Sequence, residues 1–183
     1  MGNESITLYH GTTYEFSEID LNQGNPFKDF GQGFYTTATR SQAVNMARRN
    51  YDILRSRYGR HNMDVKQLRR FVYEYSLPKS EMHNLNVKEF SQADYEWVLF
   101  VTDNRTHNPH RHSYDIVIGP TANDRTNPTI LTYLSEGYGE VGSGRAIEIL
   151  IELLEPYTLP FQYFFGTQKS VNLLKFNERV EVR

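Results

Sequence analysis

An α+β fold is predicted for this chain by three features of its sequence. Short alternating stretches read as strands, and apolar residues at 3.6-residue spacing read as helices. The two kinds are interspersed without the regular strand–helix–strand rhythm of a doubly wound sheet. The length of 183 residues suits a single domain over 1–183, on a prior of roughly 100–200 residues per domain.

In chain order, Ser5–His10 alternates as a strand and meets Gly11, a residue that lets another backbone or a ligand come close. Residues 13–30 read as a long connection with turn chemistry at 22–26, and loops of that length are usually functional or mobile. Phe34–Thr37 is a second strand. Ser41 is a candidate helix N-cap, followed by Val44, Ala47, Tyr51, Leu54 and Tyr58 on one face and Gly59 as the stop. Phe71–Leu77 is a third strand ending at Pro78. Ser91 is a candidate cap, with Asp94 as its capping-box partner, for a helix presenting Ala93, Trp97, Phe100 and Val101. After a polar loop at 104–113 comes the strand Tyr114–Ile118, closed by Gly119 and Pro120. A short helix is expected over 128–136, a glycine-rich link over 138–144, and a helix carrying Ile147, Leu150, Ile151 and Leu154. The aromatic strand Phe161–Phe165, a helical turn near Val171, and a last strand over Arg179–Arg183 complete the chain.

Composition bounds the function. The chain has 38% hydrophobic and 23% charged residues, and no apolar run approaches the ~18 residues of a membrane span. The start lacks the character of a signal peptide. Zero cysteines exclude disulfides, thiolate zinc sites and a cysteine nucleophile, and fit a cytoplasmic protein or a delivered effector or toxin. Thirteen Tyr against one Trp suit a wet cleft that grips a flat ligand. The net charge of -2 hides a basic segment, residues 40–70, with nine Lys/Arg and two Asp. Arg48, Arg49, Arg55 and Arg57 lie largely off the apolar stripe, so the segment reads mainly as the solvated side of a helix. A nucleic-acid binder is more often basic overall.

Two short motifs carry the chemistry. Leu8-Tyr9-His10-Gly11-Thr12 ends a strand on a histidine and a glycine, and Gly31-Gln32-Gly33-Phe34-Tyr35 leads two glycines into an aromatic strand. Because those glycines do not open a helix, a phosphate-cradle reading is poor. In this order the motifs resemble the ADP-ribosyltransferase superfamily, in the branch of poly(ADP-ribose) polymerases and diphtheria toxin, whose sites are described as His-Tyr-Glu. Glu96-Trp97, Tyr114 to Pro120, Ala122-Asn123-Asp124 and Gln162-x-x-Phe165 look like a bacterial family of unknown function placed in the same superfamily.

The resemblance implies a split mixed and antiparallel sheet with flanking helices, NAD as co-substrate, and no metal. It further implies that His10 hydrogen-bonds the adenosine ribose, that Gly11 offers backbone bonds to the carboxamide, and that Tyr35 stacks on nicotinamide. Thr12, Gly33, Phe34 and Ser41 are expected beside the dinucleotide. The family glutamate is replaced here by Gln162, which keeps a hydrogen bond and loses the charge. Glu96 is its rival, although the spacing around Glu96 is helical. Ala43 and Met46 stand where the polymerases carry a serine and a second tyrosine. Ser41 or Thr36 is the candidate for the carboxamide contact, and Tyr14 or Phe34 for the second stack. The departures favour transfer of one ADP-ribose unit to a protein or nucleic-acid acceptor, or to water, over polymer synthesis. The alternative is a weak or inactive domain that binds NAD or ADP-ribose.

Arg40, Arg48 and Arg49 are candidates for the pyrophosphate, with a solvent face as the plainer reading. Asn123-Asp124 reads as a turn or cap that reaches the cleft in the less favoured case. Trp97 reads as core, and Arg105 as a cap or a ligand contact. His107, His110 and His112 lie in a polar stretch broken by Pro109 and Arg111, which fits a solvated loop better than a metal site.

Overall fold

The computed structural model describes residues 4–60, 68–122, 126–154 and 159–183. Among them, seven strands form two sheets, and the class is α+β. The first sheet is antiparallel throughout, in the order β1 (Ser5–Thr12), β3 (Phe71–Pro78), β7 (Lys175–Glu181). The second runs β2 (Phe34–Thr36), β6 (Phe161–Phe165), β5 (Ile116–Pro120), β4 (Val87–Glu89), with the β4–β5 pairing parallel and the others antiparallel. One bridge joins the sheets: Tyr9 N donates to Thr37 O at 2.7 Å and Thr37 N to Tyr9 O at 2.9 Å.

The period-2 pleat sorts the side chains into two cores. Leu8, Tyr73, Tyr75 and Leu77 of the first sheet meet Phe34, Ile116 and Phe165 of the second. Phe164 and Val117, pointing the other way, pack with α2 (Tyr95–Thr106), α3 (Asn127–Leu134) and α4 (Gly144–Leu154). Tyr35 joins that second core, while its neighbour Phe34 faces the first. Helix α1 (Arg40–Arg60) lies on β1 and β3. A Cβ on Gly11 would stand 1.8 Å from the carbonyl oxygen of Ala43, so this close approach requires glycine. The last helix, α5 (Gln168–Val171), is one turn held by a Thr167–Ser170 capping box.

Most expected elements are present, with shifted ends. Helix α1 starts at Arg40, and Thr39 O accepts from the Gln42 and Ala43 amides, so Ser41 lies inside the helix and does not cap it. Its inner face is the expected stripe, and Arg48, Arg49, Arg55 and Arg57 are exposed. Helix α2 is capped by Asp94, which accepts from Trp97 N at 3.0 Å; Ser91 lies outside it. The same helix runs to Thr106, into the stretch expected to be loop. Gly119 and Pro120 continue β5 opposite Gln162 and Phe161. Strand β4 and a 3-10 segment over Lys79–Asn84 give no sequence signal, since three residues with one apolar member show no alternation. Among the described residues no helix is long and apolar enough to cross a membrane.

Candidate functional site

A cleft of about 690 Å³ opens where the two sheets meet, a size typical of small-molecule sites. The end of β1 brings His10 and Gly11 to it, and β2 brings Tyr35 and Thr36. Strand β6 contributes Gln162 and the end of the 13–30 loop contributes Asn25, Phe27, Lys28 and Asp29. Helix α1 forms the outer wall with Met46, Arg49 and Ile53, and Arg105 of α2 closes the floor. The strand pleat decides which β6 residue enters. Gln162 shares a face with Phe164, which pairs with Tyr35, whereas Tyr163 and Phe165 turn to the other core.

His10 Nδ1 lies 2.7 Å from the carbonyl oxygen of Tyr35. A carbonyl only accepts, so Nδ1 carries the proton. Burial pushes the imidazole pKa down to about 4; the Tyr35 hydrogen bond works against that shift, and the nearby Lys28 charge adds to it. The ring is therefore neutral at pH 7, with Nε2 an acceptor.

Tyr35 is held at both ends. Its hydroxyl donates to Gly31 O at 2.6 Å and accepts from Phe30 N at 3.2 Å. Its ring packs edge-on against Phe164, with centroids 5.2 Å apart. Burial, then the Asp29 charge, holds the phenol pKa well above its ordinary value, so the group stays a donor. Lys28 Nζ lies over the ring, 4.6 Å from its centroid, and burial lowers the pKa of that ammonium. A cation thus already occupies a face of the aromatic ring.

Asp29, only 6% exposed, is the hub of the floor. Its Oδ1 accepts from Arg105 Nε at 3.0 Å and Nη2 at 2.6 Å. Its Oδ2 accepts from Ala122 N at 2.8 Å, Gln162 Nε2 at 2.9 Å and Thr121 Oγ1 at 3.3 Å. Arg105 Nη1 donates to Asn127 Oδ1 at 2.7 Å. A buried carboxylate in contact with Gln162 therefore stands in the cleft wall. Thr36 Oγ1, buried and lining the same cleft, has no hydrogen-bond partner among the described residues.

The structure brings His10, Gly11, Tyr35 and Gln162 together on this cleft. Thr12, Gly33, Phe34 and Ser41 lie off its lining. Thr12 Oγ1 accepts from Tyr14 N at 3.1 Å. Gly33 sits where a Cβ would strike the Phe164 ring and the Phe165 carbonyl oxygen. Phe34 packs 4.5 Å from His10 within the inter-sheet core. Ser41 is exposed on α1, and Tyr14 is exposed away from the cleft. Glu96 pairs with Lys88 at the surface, 2.5 Å apart. Arg48 donates to the backbone oxygen of Arg183, while Arg49 lines the cleft mouth. Trp97 is fully buried and donates to Pro120 O at 3.0 Å. Asn123 and Asp124 lie outside the described residues. His112 Nε2 lies 2.9 Å from Phe30 O, and the His110 ring stacks on His112 and abuts Gly31. Among the described residues no group of three or more His, Asp or Glu side chains is arranged to hold a metal ion.

Asp29 and Lys28 are the site residues that sequence reasoning misses. Their signal is a charged pair between Phe27 and Phe30, just before Gly31. Nothing in that stretch says that Arg105, 76 residues on, will meet it.

A family model described as a protein of unknown function, DUF3990, matches residues 6–176. No curated protein matches the chain.

Proposed function

Since the chain belongs to the DUF3990 family of unknown function, its activity has to be argued from its own residues, and we propose that it is an NAD-binding, ADP-ribosyltransferase-like enzyme. It cleaves the nicotinamide–ribose bond and transfers one ADP-ribose unit to a protein or nucleic-acid acceptor, or to water. The observation that carries this reading is the convergence of His10, Gly11, Tyr35 and Gln162 on one cleft, although they come from three strands up to 152 positions apart. The split into two sheets bridged at Tyr9 and Thr37 supports an ADP-ribosyltransferase-like fold.

Each group has a task on this reading. The neutral His10 offers Nε2 to a ribose hydroxyl. Tyr35, fixed through its hydroxyl, presents an aromatic face to the cationic nicotinamide ring in place of the Lys28 ammonium. The bond from nitrogen to the anomeric carbon breaks with its electron pair leaving on nicotinamide, which becomes neutral. Positive charge then develops on the ribose, an oxocarbenium-like state. The acceptor oxygen or nitrogen forms the new bond to that carbon and gives up its proton to solvent water. Gln162 Oε1 is the acceptor available to the ribose hydroxyl as the charge develops, and Asp29 Oδ2 lies behind the amide.

The test is release of nicotinamide from NAD, measured together with NAD-dependent thermal stabilisation. Wild type should show both. Tyr35→Ala should abolish release, and Tyr35→Phe, which keeps the ring, should retain much of it. Stabilisation without release in wild type would assign a binding domain instead. Neither release nor stabilisation would overturn the proposal.

A further inference from the structure

Gln162 is an amide where a carboxylate is expected, and an amide has two unlike ends. Which end faces the cleft decides what the cleft can bind. Asp29 settles this, because its Oδ2 can only accept. The amide must therefore turn Nε2 to Asp29, at 2.9 Å, and that leaves Oε1 as the free end. Among the described residues Oε1 takes no hydrogen bond from the protein. Oδ2 is itself fixed by Ala122 N and Thr121 Oγ1, and Arg105 takes the other carboxylate oxygen. With the guanidinium on the far oxygen, Asp29 acts on Gln162 by orienting it more than by adding charge.

We propose that Asp29 is the positioning residue of this site, locking the Gln162 amide with its oxygen toward the cleft so that the pair receives a hydroxyl-bearing sugar where a free carboxylate would otherwise be needed. This rests on the reading of the cleft as an NAD-cleaving site. The group the pair receives in the position facing Oε1 is a donor, the hydroxyl of a ribose, and what Asp29 adds is the hold on the amide that receives it. A Gln162 free to flip would present its amide hydrogens there instead, turning the ribose hydroxyl into an acceptor and removing the electron-rich oxygen from beside the developing positive charge.

Three variants separate orientation from mere support: Asp29→Asn, Gln162→Glu and the two combined. In Asp29→Asn, the two charged Arg105 donors draw the new amide oxygen to their side at the expense of the Ala122 N–H, so an NH₂ faces Gln162 and the glutamine flips. The kcat for nicotinamide release should fall by at least about tenfold, with a smaller change in KM. Gln162→Glu leaves the Asp29–Arg105 pair in place and sets two carboxylates at hydrogen-bond distance. One of them then holds a shared proton at low pH and loses it as pH rises, so above the range in which His10 titrates release should decline with rising pH relative to wild type. The other charged or titratable groups on the cleft are Arg105, Lys28, His10, Tyr35, Tyr9 and Arg49, and all six are common to the variants. In the combined variant the amide introduced at position 29 donates to the carboxylate introduced at position 162. An oxygen again faces the cleft, and release should recover above either single variant without the alkaline decline.

A Gln162→Glu profile that overlays wild type, or a combined variant no better than the worse single one, would overturn the positioning role. Failure of wild type to release nicotinamide would instead sink the reading of the site itself. Should Asp29→Asn fail to fold, the Gln162→Glu pH profile decides alone.

Discussion

Arg105→Met tests how the cleft floor is held. Arg105 and Asp29 form the most buried ion pair among the described residues, with side chains 13% and 8% exposed. Removing the guanidinium strips Oδ1 of both its donors and leaves a buried carboxylate with three neutral donors, Ala122 N, Thr121 Oγ1 and Gln162 Nε2. Breaking one side of a buried pair costs about 3–5 kcal/mol. The three remaining donors place this case near the low end, and loss of the Asn127 bond adds about 1 kcal/mol. The expected cost is thus about 4 kcal/mol, which for a chain of this size lowers Tm by roughly 8–16 °C. Urea unfolding should show a lower midpoint at unchanged slope. Asp29→Asn in the Arg105→Met background removes the stranded charge and should recover part of the loss. A cost below about 1 kcal/mol, or a double variant less stable than Arg105→Met, would refute the account of Asp29 as a charge held by Arg105.

Two further outcomes follow from the geometry. His10 is neutral when folded, with a pKa of about 4 against an ordinary 6.5. The unfolded chain therefore binds the extra proton first as pH falls, so the stability this histidine supports is complete above pH 6.5 and is lost between pH 6.5 and 4. That loss amounts to about 3 kcal/mol. Denaturation midpoints across that window should fall more steeply in wild type than in His10→Gln, which keeps the contributions of the depressed His110 and His112, and equal slopes would contradict the buried neutral imidazole. Gly11→Ala puts a methyl group 1.8 Å from the Ala43 carbonyl oxygen, so α1 must lift off β1 at a cost of about 3 kcal/mol. Thermal melts should show the loss, and unchanged stability would mean that the helix–strand approach is looser than that distance implies.

The element pattern was legible from local chemistry. Alternation in Phe71–Leu77 and the stripe from Val44 to Tyr58 each name a buried face, because pleat and helix pitch act within a few residues. Helix starts were less legible. Ser91 and Asp94 are both competent caps, and the choice falls to Asp94, whose helix buries Trp97 against the end of β5. Strand β4 exists through its parallel pairing with β5, a partner no local signal names.

Short-range patterns were enough to set the class of the fold, and the resemblance carried by short motifs, not local chemistry by itself, brought forward His10, Gly11, Tyr35 and Gln162. Three-dimensional packing was needed to gather these four on one cleft and to leave Thr12, Gly33, Phe34 and Ser41 outside its lining, because strand pleat and sheet register set the direction of each side chain. Packing alone supplied Asp29. A lone carboxylate in a turn-rich loop draws no notice until folding removes its water and leaves Arg105, Ala122 and Gln162 to satisfy it.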